Sequence, residues 1–550
     1  MHFTILFCVI FVFMIWTTMG FPEMPASVSS YCANDMSKRS IPPIENLPEK
    51  YKLLQVQVLI RHGSRIPSAP FYCWDGYDHN FNCEVTELVA PSSPSSLDWK
   101  LNPPSVVFRK RFDAFVNEYG ETCYMGQLTD QGYVQQVLNG RFLRDAYIGK
   151  GSTKLFDSAD LDQLPKQRIY LRGDTIQRTL QSGQTLVNSM FNETPESILE
   201  WHTGDWELDT IYQNSNVYPC LDDMWNVQTP PYQDYVKSAE SQQLYSDLKA
   251  VFGDAYTNEK YLSGGELQDC LLCNLCNGRD VPSGATSELI DTFMQYKANL
   301  YGFGLFENGS IRSKLAMKNL VNTISSNMIE IVSNSTDQNT LKFALFSGHD
   351  STIMPFLAAV APDAWKSQGF EWAPYAALIS LELYVSSDKG ELPLVRMVYN
   401  GNVLRPQGCS SDLCPLEMFL GVATAFAFDD NLSCASLSTV ISQSNETLTT
   451  SWPAEEEGKD LRAYLKDGDD RKGGKVFFWA SAFLIVGFIG GLIFTTYMQE
   501  KKSSNRNKKN KLYGFHSKYH HPYSSIQSSK KRSFSISKRN GPHNNTFMLE

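Results

Sequence analysis

Short, continuous apolar runs recur along the middle of this chain: Leu54–Ile60, Ile169–Leu171 and Phe343–Phe346. Each ends abruptly in a polar or glycine-containing cluster, which predicts buried strands closed by turns. Between them the apolar period changes to that of a helix. Thr129–Tyr147 carries Tyr133, Val134, Val137, Leu138 and Phe142 on one face, and Thr179–Phe191 carries Leu180, Leu186, Val187 and Met190. Ile311–Val332 repeats the pattern through Leu315, Leu320, Val321, Ile324 and Met328. Strands alternating with helices predict an α/β fold with a layered core. Residues 205–300 have less strand pattern, and no internal repeat is visible.

Two further apolar stretches change the picture from a free-standing domain to a sorted one. Met1–Gly20 has no charged residue, is apolar over Phe3–Trp16 and ends in small residues, as a secretory signal peptide does. Val476–Met498 is uncharged and long enough to span a bilayer as a single C-terminal transmembrane helix. The tail beyond it, Gln499–Glu550, holds 12 Lys+Arg against 2 Asp+Glu, whereas the whole chain is −10; residues 1–498 therefore carry −20. The basic tail predicts a cytosolic C-terminus and a lumenal or extracellular N-terminal part, in an endosomal, lysosomal or cell-surface membrane. Residues 456–475, charged and glycine-containing, read as a stalk, leaving an ectodomain over 21–455. Within the tail, Tyr523–Ile526 has the form of a sorting signal read by an adaptor.

Sequons at Asn192, Asn308, Asn334, Asn431 and Asn445 all fall on the lumenal side. So do eleven of the twelve cysteines, which is disulfide usage in an oxidising compartment. Eleven is odd, so one thiol is left over for a free state or an intermolecular bond. Cys270, Cys273 and Cys276 have a spacing seen in metal sites, but with no fourth ligand nearby disulfides are favoured. An ectodomain this acidic is no nucleic-acid binder. For a small anion, the positive charge must be local to a pocket.

Such local charge stands at the ends of the predicted strands. Leu54–Ile60 runs directly into Arg61-His62-Gly63-Ser64-Arg65-Ile66-Pro67. Two arginines offer forked donors matched to phosphate oxygens, and His62 between them is suited to attack phosphorus. Phe343–Phe346 runs into Ser347-Gly348-His349-Asp350, a second imidazole beside a carboxyl group for general acid chemistry. Ile169–Leu171 ends at Arg172. Ligands of open α/β sheets sit at such carboxyl ends of strands.

These segments resemble the histidine acid phosphatases, branch 2 of the histidine phosphatase superfamily, membrane-bound and lysosomal-type enzymes among them. Gln127-Leu-Thr129-Asp-Gln-Gly132-Tyr-Val-Gln135 is similar to that family's Leu-Thr-x-x-Gly-x-x-Gln element, and Gly408–Phe419 to its C-terminal cysteine loop. Together the matches span about residues 50–435 in the family's order. The resemblance implies a central, mostly parallel sheet flanked by helices, with a smaller helical cap inserted over about 205–300. It implies phosphate monoester substrates, a phosphohistidine formed on His62, phosphate held by Arg61, Arg65 and Arg172, His349 as a second imidazole on the phosphoryl group, and Asp350 as proton donor. No metal or other cofactor is implied; a homodimer is allowed. It pairs Cys409 with Cys414, and Cys220 with Cys434 is compatible with it.

One segment departs from the family. Where the usual pattern is Arg-Ser-Thr-Asp-x-x-Arg-Thr, this chain has Arg172-Gly173-Asp174-Thr175-Ile176-Gln177-Arg178-Thr179. Arg172 is kept, and the change falls on contacts around the site; Arg178 reads as a structural arginine. His79 and His202 have no motif around them and read as surface or hydrogen-bonded residues. Alternatives to a broad acid phosphatase are a selective inositol-phosphate or lysophospholipid phosphatase, and a receptor ectodomain on an inactive phosphatase fold. The Ser68–Trp99 loop, with aromatics and acids but no lysine, favours small monoesters over polyphosphates.

Overall fold

The computed structural model describes residues 24–435 apart from gaps, chiefly 69–72, 85–87, 90–107, 110–122, 162–167, 193–198, 222–229, 254–265 and 335–339. The signal segment, the stalk, Val476–Met498, the basic tail with Tyr523–Ile526, His79, Asn431 and Asn445 lie outside the described residues, as does most of the Ser68–Trp99 loop. No helix among the described residues is long and apolar enough to cross a membrane.

The predicted apolar runs form the middle of one eight-stranded sheet, with the order β10-β8-β7-β1-β6-β4-β5 and β9 paired to β8. Its strands are β1 (Tyr51–Arg61), β4 (Ile169–Gly173), β5 (Trp201–His202), β6 (Phe343–Gly348), β7 (Leu378–Ser386), β8 (Leu394–Tyr399), β9 (Asn402–Leu404) and β10 (Cys414–Pro415). A separate short ribbon joins β2 (Leu88–Val89) to β3 (Phe108–Arg109). The strands β1, β6, β4 and β5 are mutually parallel, and β8 runs in their direction, so five of the eight strands point one way. Every residue of β6 is buried, as expected of a strand covered on both faces. The sequence between β1 and β6 leaves the sheet and returns, placing their carboxyl ends side by side.

Helices α1 (Ala26–Tyr31), α2 (Asp130–Tyr147), α3 (Gln177–Met190), α4 (Ala239–Phe252), α5 (Glu266–Cys276), α6 (Ser287–Ser333) and α7 (Asp350–Val360) surround the sheet and build a second core. Leu186, Val187 and Met190 of α3 pack with Val58, Leu171 and Phe343 of the sheet. Leu315, Leu320, Val321, Ile324 and Met328 of α6 are all fully buried, as their spacing predicts. α6 is two helices merged across a kink at Glu307–Ser310, where Asn308, Gly309 and Ser310 have positive φ.

The pattern misleads in part on α2. Of its apolar stripe Val134 is 53% exposed and Tyr133, Val137, Leu138 and Phe142 are only half-buried, while Gly132, Gln135, Gln136, Asn139, Gly140, Leu143 and Tyr147 are buried. Those polar residues face a loop whose backbone groups need partners, and that need outweighs the apolar stripe.

Among the described residues, 203–342 contain no strand, in keeping with a helical insertion. α4, α5 and the first part of α6 share a core with Val28 and Tyr31 of α1. Among the described residues five disulfides join Cys32–Cys276, Cys73–Cys270, Cys83–Cys123, Cys220–Cys434 and Cys409–Cys414. They mark a chain folded in an oxidising compartment. The Cys270 cluster thus divides into two disulfide partners and one buried free thiol, Cys273. Asn192, Asn308 and Asn334 are exposed. His202 is exposed too and stacks on Tyr170.

Candidate active site

Strand register assembles the site. Arg61 pairs with Gly348 across β1 and β6, and Gly173 pairs with Ser347 across β4 and β6. The residues that follow these ends, His62, Asp174, His349 and Asp350, therefore leave the sheet at one edge. The His62 backbone N–H donates to Gly348 O at 2.9 Å, and the two imidazoles meet edge to face with centroids 5.4 Å apart.

The 62–65 loop is clamped to α2 by the Leu-Thr-x-x-Gly-x-x-Gln element. A Cβ on Gly63 would lie 2.3 Å from Gly132 O, and one on Gly132 would lie 2.2 Å from Ser64 O. Only two glycines allow this approach. Closeness brings hydrogen bonds: Thr129 donates to Ser64 O from its N–H and its hydroxyl at 3.0 and 3.1 Å. Gln135 Oε1 accepts from Ser64 N at 2.8 Å, and Gln136 Nε2 donates to Arg61 O at 2.9 Å. Ala376, in the left-handed region at φ 52°, donates to His62 O at 3.0 Å. Such local strain persists where surroundings over-determine it, and here Asn139 Nδ2 and Arg39 Nη1 both donate to Ala376 O.

His62 is buried, and its Nδ1 lies 2.8 Å from Gly63 O. A carbonyl only accepts, so Nδ1 carries the proton and Nε2 keeps a lone pair. Burial first, then the charges of Arg178, Arg61, His349 and Arg65, hold this imidazole well below the ordinary histidine pKa. It is neutral, and therefore nucleophilic, in acid.

The arginines predicted from sequence each meet a carboxylate. Arg61 Nη2 lies 2.8 Å from Asp350 Oδ2, Arg65 Nη1 2.8 Å from Asp269 Oδ1, and Arg172 Nη2 2.9 Å from Asp209 Oδ1. His349 Nε2 lies 2.5 Å from Asp174 Oδ2. Nε of Arg61 and Nε of Arg65 are buried without a hydrogen-bond partner, donors suited to the oxygens of a bound oxyanion. Arg61 is further wedged between the rings of Tyr31 and Tyr375, 5.0 and 4.6 Å from its guanidinium carbon. Asp350 also accepts from Trp372 Nε1 at 2.8 Å. Burial would raise its carboxyl pKa, but Arg61, Trp372 and His349 outweigh that and leave it below the usual carboxylate value. Asp350 thus rests as a carboxylate.

All six residues predicted for the site lie on the described chain, and five of them follow directly from the shared edge of β1 and β6. Sequence reasoning missed Asp209, Asp269, Trp372 and Tyr375, which have no local motif. It set Arg178 aside as structural, yet Arg178 is buried and its charge bears on His62 more than that of any other residue. Among the described residues, no group of three His, Cys, Asp or Glu side chains could hold a metal ion.

Paired imidazoles and arginines at a strand edge of an α/β sheet define a phosphatase of the histidine type. The family model described as histidine phosphatase superfamily (branch 2) matches residues 52–269 and 252–400, and the chain belongs to that superfamily. Counting factor 60 of Dictyostelium discoideum is 24% identical over 405 residues, covering 70% of this chain and 89% of that protein. 2-Phosphoxylose phosphatase 1 of Xenopus tropicalis is 27% identical, covering 68% and 74%. Lysophosphatidic acid phosphatase type 6 of Bos taurus is 25% identical, covering 68% and 83%. Among solved structures, the multiple inositol polyphosphate phosphatase of Bifidobacterium longum with inositol hexasulfate has a TM-score of 0.48 at 12% identity, covering 73% of this chain and 98% of that one.

Proposed function

We propose that this chain is a membrane-anchored acid phosphatase that hydrolyses phosphate monoesters through a phosphohistidine on His62. The single observation that carries the reading is the state of His62: buried, proton fixed on Nδ1 by Gly63 O, and surrounded by arginine charge. Nε2 attacks phosphorus and the ester P–O bond breaks as the alcohol oxygen takes a proton from Asp350. Water then attacks phosphorus, the P–N bond breaks, and the water's proton returns to Asp350 as inorganic phosphate leaves. Arg61, Arg65 and Arg172, joined by Arg178, hold the equatorial oxygens and the charge that builds on them. His349 contacts the same group.

Asp350 rests ionised, so its proton must arrive with the substrate. A phosphate monoester has its second pKa at about 6 and is a monoanion below it. The acid requirement then lies in the substrate, while the depressed pKa of His62 keeps the nucleophile ready. Anchoring by Val476–Met498, with a lumenal or extracellular catalytic part, rests on the apolar span and the basic tail.

A selective reading has one supporting observation. Trp206 and Leu208, 48% and 70% exposed, stand beside Asp209, and Trp206 stacks on Tyr212, whose ring meets His349 edge-on at 5.8 Å. An apolar lip near the site suits a monoester with a hydrocarbon or aryl group, as in a lysophospholipid, better than an inositol polyphosphate.

Phosphate release from an aryl phosphate by the full chain in detergent, with EDTA present, tests the reading between pH 3.5 and 8. Activity below about pH 6 that His62→Ala abolishes is expected. A wild type that releases nothing, or a His62→Ala variant of full activity, overturns it.

A further inference from the structure

Asp174 stands where the family pattern has threonine, and it is almost wholly buried, at 1% exposure. Its two oxygens do separate work. Oδ1 accepts from the Thr179 hydroxyl and from Ile176 N at 2.9 Å, which fixes the carboxylate at the start of α3. Oδ2 lies 2.5 Å from His349 Nε2, and His349 is fully buried. A buried carboxylate needs such partners to stay charged. These contacts outweigh its burial and hold its pKa below the usual carboxylate value.

We infer that Asp174 is a positioning residue that acts through His349, taking the Nε2 proton in a hydrogen bond and thereby fixing the ring's orientation and leaving Nδ1 for the phosphoryl group. Nδ1 makes no hydrogen bond of its own. The two imidazoles then have opposite assignments. A backbone carbonyl accepts from His62 Nδ1–H and leaves the Nε2 lone pair to attack; a carboxylate accepts from His349 Nε2–H and holds Nδ1 for the phosphoryl group, whose oxygens accept from it when it carries a hydrogen. Carboxylates commonly orient imidazoles in this way, and the orientation is what the partner contributes. Threonine at this position could align the ring but would set no negative charge against it. The inference rests on the phosphohistidine reading with His349 on the phosphoryl group.

The test is a double-mutant cycle on the full chain with an aryl phosphate: wild type, Asp174→Asn, His349→Asn and the double variant, each checked for an unchanged melting temperature. Asp174→Asn is expected to lower kcat by roughly 100-fold. In the His349→Asn background the same change is expected to alter kcat by less than about 2-fold, because its route is gone. An equal loss in both backgrounds would make Asp174 a structural residue and overturn the inference, as would no loss in either. His349→Asn at wild-type activity would overturn the underlying role of His349 and the inference with it, whereas a crippled His349→Asn beside an unaffected Asp174→Asn removes the inference alone. Should Asp174→Asn fail to fold, Asp174→Ala, which can neither align the ring nor set charge against it, takes its place in the cycle with the same expectations.

Discussion

Arg61 Nη2 and Asp350 Oδ2 lie 2.8 Å apart, so the proposed proton donor and a proposed phosphate ligand neutralise each other before any substrate arrives. The pair is buried on the arginine side and capped by Trp372 on the other. An incoming phosphate competes with Asp350 for Arg61, and its negative charge favours protonation of Asp350 at the moment a proton is needed. Binding and acid catalysis are thereby coupled through one guanidinium.

Asp350→Asn is accordingly expected to discriminate between leaving groups. With an alkyl phosphate, whose alkoxide leaves poorly, kcat should fall by about 10²–10⁴-fold. With a nitrophenyl phosphate, whose phenolate leaves unaided, the fall should be much smaller. Steady-state kinetics on the two substrates check this; equal losses would take Asp350 out of the proton-transfer step.

The lowered pKa of His62 acts on activity and on stability in acid with opposite signs. A histidine pKa lowered in the fold keeps the nucleophile neutral well below the ordinary value of 6.5, so activity should persist at pH 4–5 and decline only in stronger acid. The same shift destabilises the fold in acid, because the unfolded chain binds the proton that the folded one refuses: stability is present above about pH 6.5 and falls as pH drops below it. Asp174 adds a further loss below the usual Asp pKa, since its folded value is also lowered. Thermal melts from pH 3 to 7 should therefore fall toward acid, and His62→Ala should reduce that slope.

Gly132→Ala is expected to act at a distance from any substrate. Its Cβ would meet the backbone of the loop at Ser64 O and Ser64 N, 2.2 and 2.8 Å away, and the buried Leu128 Cδ1 at 2.6 Å. Overpacking of this kind costs about 1–3 kcal/mol, and the loop that yields is the one bearing His62 and Arg65. Denaturant unfolding should report the stability loss and kcat/KM a larger one.

Arg172 depends on Asp209, a fully buried carboxylate that also accepts from Ile211 N at 2.9 Å. Asp209→Ala should leave the guanidinium loosely placed and weaken competitive inhibition by inorganic phosphate by roughly 10-fold, with a parallel rise in KM. An unchanged inhibition constant would remove Arg172 from the phosphate ligands.

What could be read from sequence here was what is local. His62 and Arg61, like His349 and Asp350, directly join strand to turn, and the apolar runs before them fix where they emerge. Asp209 and Asp269 come from the inserted region, and their meaning lies in the arginine each one faces, which no spacing encodes. Asp174 was visible as a departure from the family pattern, but its partner is 175 residues away. The buried polar face of α2 was hidden for a related reason: Gln135, Gln136 and Asn139 bond to backbone of other segments, and apolar periodicity has no sign for that.

The central claim is the covalent bond between His62 Nε2 and phosphorus, and rapid quenching during turnover of a labelled monoester tests it most directly. The account predicts an acid-labile, alkali-stable phosphoryl group on the peptide containing His62, absent from His62→Ala and accumulating with slow-dephosphorylating conditions. Label on another residue, or full turnover with no trapped phosphoenzyme and an active His62→Ala, would contradict it.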